Sequence, residues 1–212
     1  MPRKVVLASN NPGKIRELQV LLAPLGFEIV AQGALRIPDA EETGSSFAEN
    51  ALIKARHAAG SSGLPAIADD SGLEVDALGG APGVYSARYA GASASDRDNI
   101  DKLLAALSGV EAERRGARFR CVMAFVRDAD DADPVVAEGC WEGRIGEIPR
   151  GEGGFGYDGV FIVPELGYPA GARLRPGIVA RTAAELPPEE KNRLSHRSRA
   201  ARLLASRLRD LD

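Results

Sequence analysis

Two carboxylates side by side beside an apolar run are costly unless a cation or hydrogen bonds offset them. Residues 64–80, LPAIADDSGLEVDALGG, hold such a pair, Asp69 and Asp70, with a Ser-Gly step directly behind that reads as a turn. Further acids come earlier: Glu41 and Glu42 follow one apolar run, and Glu49 opens a helical stretch. In an open parallel sheet the C-terminal strand ends share one edge, where ligands bind, so these acids could converge. A hard cation such as Mg2+ is held by a few carboxylate oxygens together with waters and substrate phosphates, which such an edge could supply. Plainer roles compete: Glu41 and Glu42 also suit a solvated turn, and Ser46 with Glu49 matches an S-x-x-E capping box.

Three further segments carry usable chemistry. SNNPGK, residues 9–14, joins a strand to a helix through a Pro-Gly step and ends on a lysine. Free N–H groups at a helix N-terminus and the Lys14 ammonium suit a phosphate, while an ordinary turn capped by Asn10 or Asn11 suits the segment equally. The spacing of a P-loop is absent. GEGGFGYDGVFIVP, residues 151–164, delivers Phe155, Tyr157 and Asp158 from a glycine-rich loop. Aromatic rings there could stack on a planar ligand and the carboxylate could accept from base N–H groups; a hairpin turn with core aromatics fits as well. EEKNRLSHR sets Lys191 and Ser195 four apart on one helical face, with His196 and Arg197 pointing elsewhere unless the helix is interrupted there. Alone, that segment is a solvated basic face.

Positioning these groups requires a scaffold, and the apolar pattern supplies one. KVVLAS, FEIVAQ and LPAIAD read as strands; PGKIRELQVLLAPLGF, with Ile15, Leu18, Leu22 and Leu25 in step, and SSFAENALIKARHAAGSSG read as the helices between them. Strand-helix alternation predicts an α/β fold with helices covering a mainly parallel sheet. SASDRDNIDKLLAALSGV is a further helix; ARFRCVMAFVRDA, PVVAEGCWEGRIGEI and DGVFIVPE are strands joined by short turns, so the last part of the sheet is expected to be antiparallel or mixed. Residues 185–211 close the chain as one helix with Leu194, Ala201, Leu204, Leu208 and Leu211 on one face. The broken stretch 164–181 reads as a loop or insertion. No repeat or linker divides residues 1–212, which read as a single domain.

The formal charge of −3 and the pI near 5.6 argue against a generally basic nucleic-acid or membrane-binding surface. Cys121 and Cys140 lack metal or redox spacing and read as reduced thiols of a cytoplasmic protein. The N-terminal apolar run is too short for a signal peptide, and no window is long enough for a membrane span.

In their order, the segments resemble the family of inosine triphosphate pyrophosphatases, which act on non-canonical purine nucleotides. SNNPGK stands for that family's [ST]-x-N-x-x-K, followed by EETGSSFAENALIKA, ADDSGLEVDALGGAPGVYSARYAG, GGFGYDGVFIVP and KNRLSHR, over nearly the whole chain. The resemblance implies an elongated mixed sheet flanked by helices, in two lobes with a central substrate cleft, usually in a homodimer. It implies hydrolysis of ITP, dITP and XTP to the monophosphate and pyrophosphate with Mg2+. By motif, Ser9, Asn10, Asn11, Pro12, Gly13 and Lys14 would hold the phosphates, with Lys54 a further phosphate ligand. Glu41 and Asp70 would serve the metal, Asp70 would take the proton of the attacking water, and Ser71 would touch substrate beside it. Phe155, Gly156, Tyr157 and Asp158 would hold and stack the base, and Lys191, His196 and Arg197 would close over it. Two departures stand out: the stretch at 168–186 is longer than the usual connection, and Ser198 replaces a frequent glycine.

The chemistry agrees with the residues. Cleavage between the α and β phosphates needs a water activated by a carboxylate and positive charge for the leaving pyrophosphate, and no covalent intermediate. A site that hydrogen-bonds a 6-oxo purine edge leaves groups unpaired against the 6-amino group of adenine. Two alternatives are a septum-formation-inhibitor-like nucleotide pyrophosphatase, against which SHR and FGYD speak, and a non-catalytic nucleotide- or RNA-binding module, against which Glu41, Asp70 and Lys14 weigh.

Overall fold

The computed structural model describes residues 2–164 and 180–210. Most of the irregular stretch at 164–181, and Leu211 of the final helix, lie outside the described residues. The elements follow the expected alternation: β1 (Arg3–Leu7), α1 (Pro12–Leu22), β2 (Phe27–Ala31), α2 (Phe47–Ser62), β3 (Ala66–Val75), α3 (Asp96–Ala106), β4 (Gly116–Val126), β5 (Val135–Ile145), β6 (Phe161–Ile162), α4 (Pro188–Leu194) and α5 (His196–Arg209).

The six strands form one mixed sheet in the order β2-β1-β3-β4-β5-β6. β1 runs parallel to β2 and β3, and β5 runs antiparallel to the short β6. Because the chain moves from β1 to β2 through α1 and then back past β1 to β3 through α2, right-handed crossovers put these two helices on opposite faces. Strand parity agrees. Val5, Leu7 and Ile67 share a core cluster with Leu18 and Leu22 of α1 and Leu204 of α5, whereas α2 packs on β1 from the other face. Asp69 has the parity of Ile67 and Asp70 the opposite one, so a one-residue step along β3 sends their carboxylates to different helices.

Three expectations need revision. The Ser71-Gly72 step is not a turn: β3 runs through it to Val75, so Asp69 and Asp70 lie inside a strand. Each has polar partners on its own face, which removes the reason to leave the sheet. The last helix is interrupted: Ser195, at φ −62° and ψ 151°, is extended and separates α4 from α5. The S-x-x-E pair is only half a capping box, since Ser46 Oγ accepts from Glu49 N–H at 3.2 Å while the Glu49 carboxylate bonds Ser45 N–H and Oγ.

The chain divides into two compact units. Unit 1 comprises residues 1–70, 121–139 and 196–212, and α1 packs on α5 over its core. α5 approaches β5 so closely at Gly139 that a Cβ there would stand 2.0 Å from the His196 carbonyl oxygen, hence the glycine. Unit 2 comprises residues 71–120 and 140–195 and is built on an aromatic cluster in which Phe161 lies 4.5 Å from Phe119 and 5.4 Å from Trp141, centroid to centroid. At distances of this order tilted ring pairs add to the gain from burial. Both cysteines are free; burial, then the neighbouring Glu142 carboxylate, push the Cys140 thiol up to about 12, so it stays protonated at neutral pH. Among the described residues no helix is long and apolar enough to cross a membrane.

Candidate active site

Unit 1 gathers three cations and three carboxylates. On one sheet face, Lys14 of α1 places Nζ 2.8 Å from both oxygens of Asp69, and Arg197 of α5 adds its Nε 3.6 Å away. Burial by itself would raise the Asp69 carboxyl, yet Lys14 and Arg197 outweigh it and hold the group below its ordinary value. On the other face, Lys54 of α2 donates to Asp70 at 2.9 Å and to Glu42 at 2.7 Å. Asn50, one turn before Lys54, is fully buried; its amide donates to Asp70 at 3.2 Å and its oxygen accepts from Gly44 N–H at 2.8 Å. Burial pushes the Asp70 carboxyl above its ordinary value, with Glu42 adding to the rise and Lys54 opposing it. Burial disfavours the Lys54 ammonium, but Asp70 and Glu42 more than compensate and raise it. The two neighbouring aspartates are thus driven in opposite directions.

The SNNPGK segment is a capped helix start. Asn11 Oδ1 accepts from Gly13 N–H at 2.8 Å and Lys14 N–H at 3.2 Å, with Pro12 opening α1 where no N–H is needed. Ser9 Oγ accepts from Asn11 N–H, and Asn10 Oδ1 reaches Gly33 N–H at 2.8 Å. The capped turn is therefore made, and it presents the Lys14 ammonium on Asp69. Glu41 is exposed and pairs with no described residue, whereas Glu42 is the acid that meets Lys54. Ser71 is half-buried next to Asp70 on β3. His196 is buried at the first position of α5 and Arg197 follows it; the break at Ser195 frees both from the register of Lys191. Ser198 is accommodated by donating to Glu17 of α1 at 2.5 Å.

Unit 2 holds the glycine-rich segment. Phe155 is 61% exposed, whereas Tyr157 is buried and its hydroxyl donates to Ser86 O at 2.8 Å, so the two aromatics do different work: one presents a ring, the other anchors the loop. Burial, with the nearby Tyr89 and Asp96, raises the Tyr157 phenol, which keeps the donor protonated. Asp158 is buried and accepts from Phe155 N–H at 2.8 Å and from Lys191 Nζ, whose ammonium also lies 4.7 Å from the Phe155 ring centroid. Gly154, at φ +81°, leaves no room for a Cβ, which would meet Asp158 Oδ2 at 2.2 Å.

Sequence reasoning missed Asn50, although its i,i+4 spacing to Lys54 places both on one face of α2. No local signal pointed to Ser86 or Asp96 as partners of the 155–158 loop. Among the described residues no group of three or more His, Cys, Asp or Glu could hold a metal. Mg2+ needs fewer, since one or two carboxylates with substrate phosphates and waters suffice. The three cations and three acids pair unevenly: Lys14 and Arg197 share Asp69, and Lys54 spans Asp70 and Glu42.

A profile of the Ham1 family matches residues 5–207. The dITP/XTP pyrophosphatase of Methylococcus capsulatus is 72% identical over 211 residues, covering 100% of this chain and 98% of that protein. The protein of the same name from Yersinia pseudotuberculosis is 56% identical over 208 residues, covering 98% and 99%. Among solved structures, a HAM1 protein from Coxiella burnetii matches with a TM-score of 0.88 at 47% identity, over 98% of this chain and 99% of that one. The Staphylococcus aureus Ham1 protein matches at 0.84 and 40% identity, over 99% and 100%.

Proposed function

The chain belongs to the Ham1 family, and from that premise we propose that it hydrolyses the triphosphates of inosine, deoxyinosine and xanthosine to the monophosphate and pyrophosphate. The observation that carries this is the unit 1 cluster: a buried carboxylate of raised pKa, Asp70, held between Lys54 and Asn50, with the Lys14 ammonium on the neighbouring Asp69. Water attacks the α-phosphorus, its proton passes to an Asp70 carboxylate oxygen, and the bond from that phosphorus to the bridging oxygen breaks. Raised basicity suits Asp70 to this role. The Lys14 and Lys54 ammonium groups take up charge on the departing pyrophosphate, with residues 9–13 holding the phosphate end and Ser71 touching substrate beside Asp70.

Asp70 and Glu41 would hold Mg2+, Glu41 being exposed and paired with no described residue. Bound there, the ion would supply Lewis-acid neutralisation of phosphate charge. In unit 2, the exposed Phe155 ring stacks on the purine and Asp158 accepts from its N–H groups, with Tyr157 and Gly156 shaping the loop. Lys191 carries donors only, so it can meet a 6-oxo group but finds no acceptor in a 6-amino group, which favours hypoxanthine and xanthine over adenine. The same reading places the protein in the cytoplasm as a homodimer acting on free nucleotides, without nucleic acid or membrane partners.

The experiment is a substrate panel with product identification. With Mg2+, pyrophosphate is released from ITP and XTP far faster than from ATP or GTP, and a chelator stops it. Equal rates for all four would remove the specificity, and orthophosphate as first product would remove the mechanism.

A further inference from the structure

Asp96 is the first residue of α3, and its carboxylate accepts a hydrogen bond from Gly156 N–H at 2.6 Å, between positions 60 apart in sequence. The helix does not need it for capping. Ser95 Oγ accepts from Asp98 N–H, and the Asp98 carboxylate returns to Ser95 N–H and hydroxyl, which completes the box. The preceding amide, Phe155 N–H, ends on Asp158. The two peptide planes that flank the Phe155 Cα therefore each have their N–H fixed on a carboxylate from a different part of the chain. Two fixed planes set φ and ψ of Phe155 and hence the direction of its Cα–Cβ bond. The residue is 61% exposed, with the Lys191 ammonium 4.7 Å from its ring centroid, so the direction of the Cα–Cβ bond sets where the ring can reach.

We propose that Asp96 is a positioning residue that aims the Phe155 ring at the purine. This rests on the assignment of residues 155–158 to the base. It predicts that loss of Asp96 weakens capture of nucleotide while the phosphate chemistry of unit 1 continues.

The test is steady-state kinetics with ITP on the full chain for four variants, each with a thermal midpoint. Phe155→Ala raises KM about tenfold, the scale of one base-aromatic stack. Asp96→Ala raises KM roughly three- to tenfold, as expected for losing a hydrogen bond to a charged acceptor, with kcat within about twofold. Alanine at an exposed first-turn position is well tolerated by a helix, so folding is preserved. Asp96→Asn keeps an accepting oxygen and restores KM to within about twofold of the parent. Asp98→Ala, which breaks the capping box on the same turn, lowers the midpoint without moving KM. A parental KM in Asp96→Ala alongside a raised one in Phe155→Ala overturns the role of Asp96 alone. So does an equal loss in Asp96→Ala and Asp96→Asn, which would mean that charge near the helix start matters and not the hydrogen bond. A parental KM in Phe155→Ala overturns the base assignment, and the aiming role with it.

Discussion

Unit 1 and unit 2 hold their functional groups by different means. In unit 1 the charged groups of the cluster other than Glu41 and Glu42 sit on regular elements: Asp69 and Asp70 on β3, Lys14 near the start of α1, Lys54 on α2, Arg197 near the start of α5. Their positions follow from strand parity and helix turns, and the ion pairs between them are direct. In unit 2 the groups sit on a glycine-rich loop whose shape is set by its own Asp158 and, from outside it, by Asp96 and the carbonyl of Ser86. On the proposed reading, chemistry that needs charge at fixed points is mounted on rigid elements, and recognition of a flat ring on a loop that backbone hydrogen bonds tune. Damage to unit 1 should therefore appear in kcat or stability, and damage to unit 2 in KM.

The largest effect is expected from Asp70→Asn, which should lower kcat/KM on the order of a thousandfold, the range of a lost general base. Stability should hold or rise. A carboxyl whose folded pKa is raised opposes folding at pH values above its unfolded pKa, and the amide removes that cost. For the same reason, activity of the parent should rise with pH through a point above 3.8, the ordinary carboxyl value. A parental rate in the variant, or an acid limb below that value, would break the assignment.

Asp69→Asn probes the neighbour driven the other way. Its depressed pKa contributes stability that is fully present above the unfolded value of 3.8 and is lost as pH falls through the lower folded value. Removing the charge leaves the Lys14 and Arg197 cations without it and should cost about 3 kcal/mol, read from denaturant unfolding at neutral pH. The gap between parent and variant should close in acid. A variant as stable as the parent at neutral pH would mean that the cations, and not the aspartate, organise this face.

The smallest effect tests unit 2. Tyr157→Phe removes the donor to Ser86 O and should cost about 1 kcal/mol, raising KM for ITP a fewfold with kcat unchanged. A fall in kcat with constant KM would blur the distinction between the units.

Sequence alone determined most of the scaffold and the chemical inventory. Helical and strand periodicities of Ile15, Leu18, Leu22 and of KVVLAS are local properties, as is the Asn11 cap, so α1, β1 and their junction were legible. The order of motifs likewise marked Lys14, Asp70, Asp158 and Lys191 as candidates. Only the tertiary structure decided what each acid does. Asp69 and Asp70 are the same residue type at adjacent positions, and a strand that continues past Gly72 sends one to α1 and α5, where cations outweigh burial, and the other to α2, where burial wins. Glu42 rather than Glu41 on Lys54, the break at Ser195, and Asp96 on Gly156 belong to the same class. Each depends on which elements the sheet order brings together, and local propensity carries no information about a partner 12 or 60 positions away.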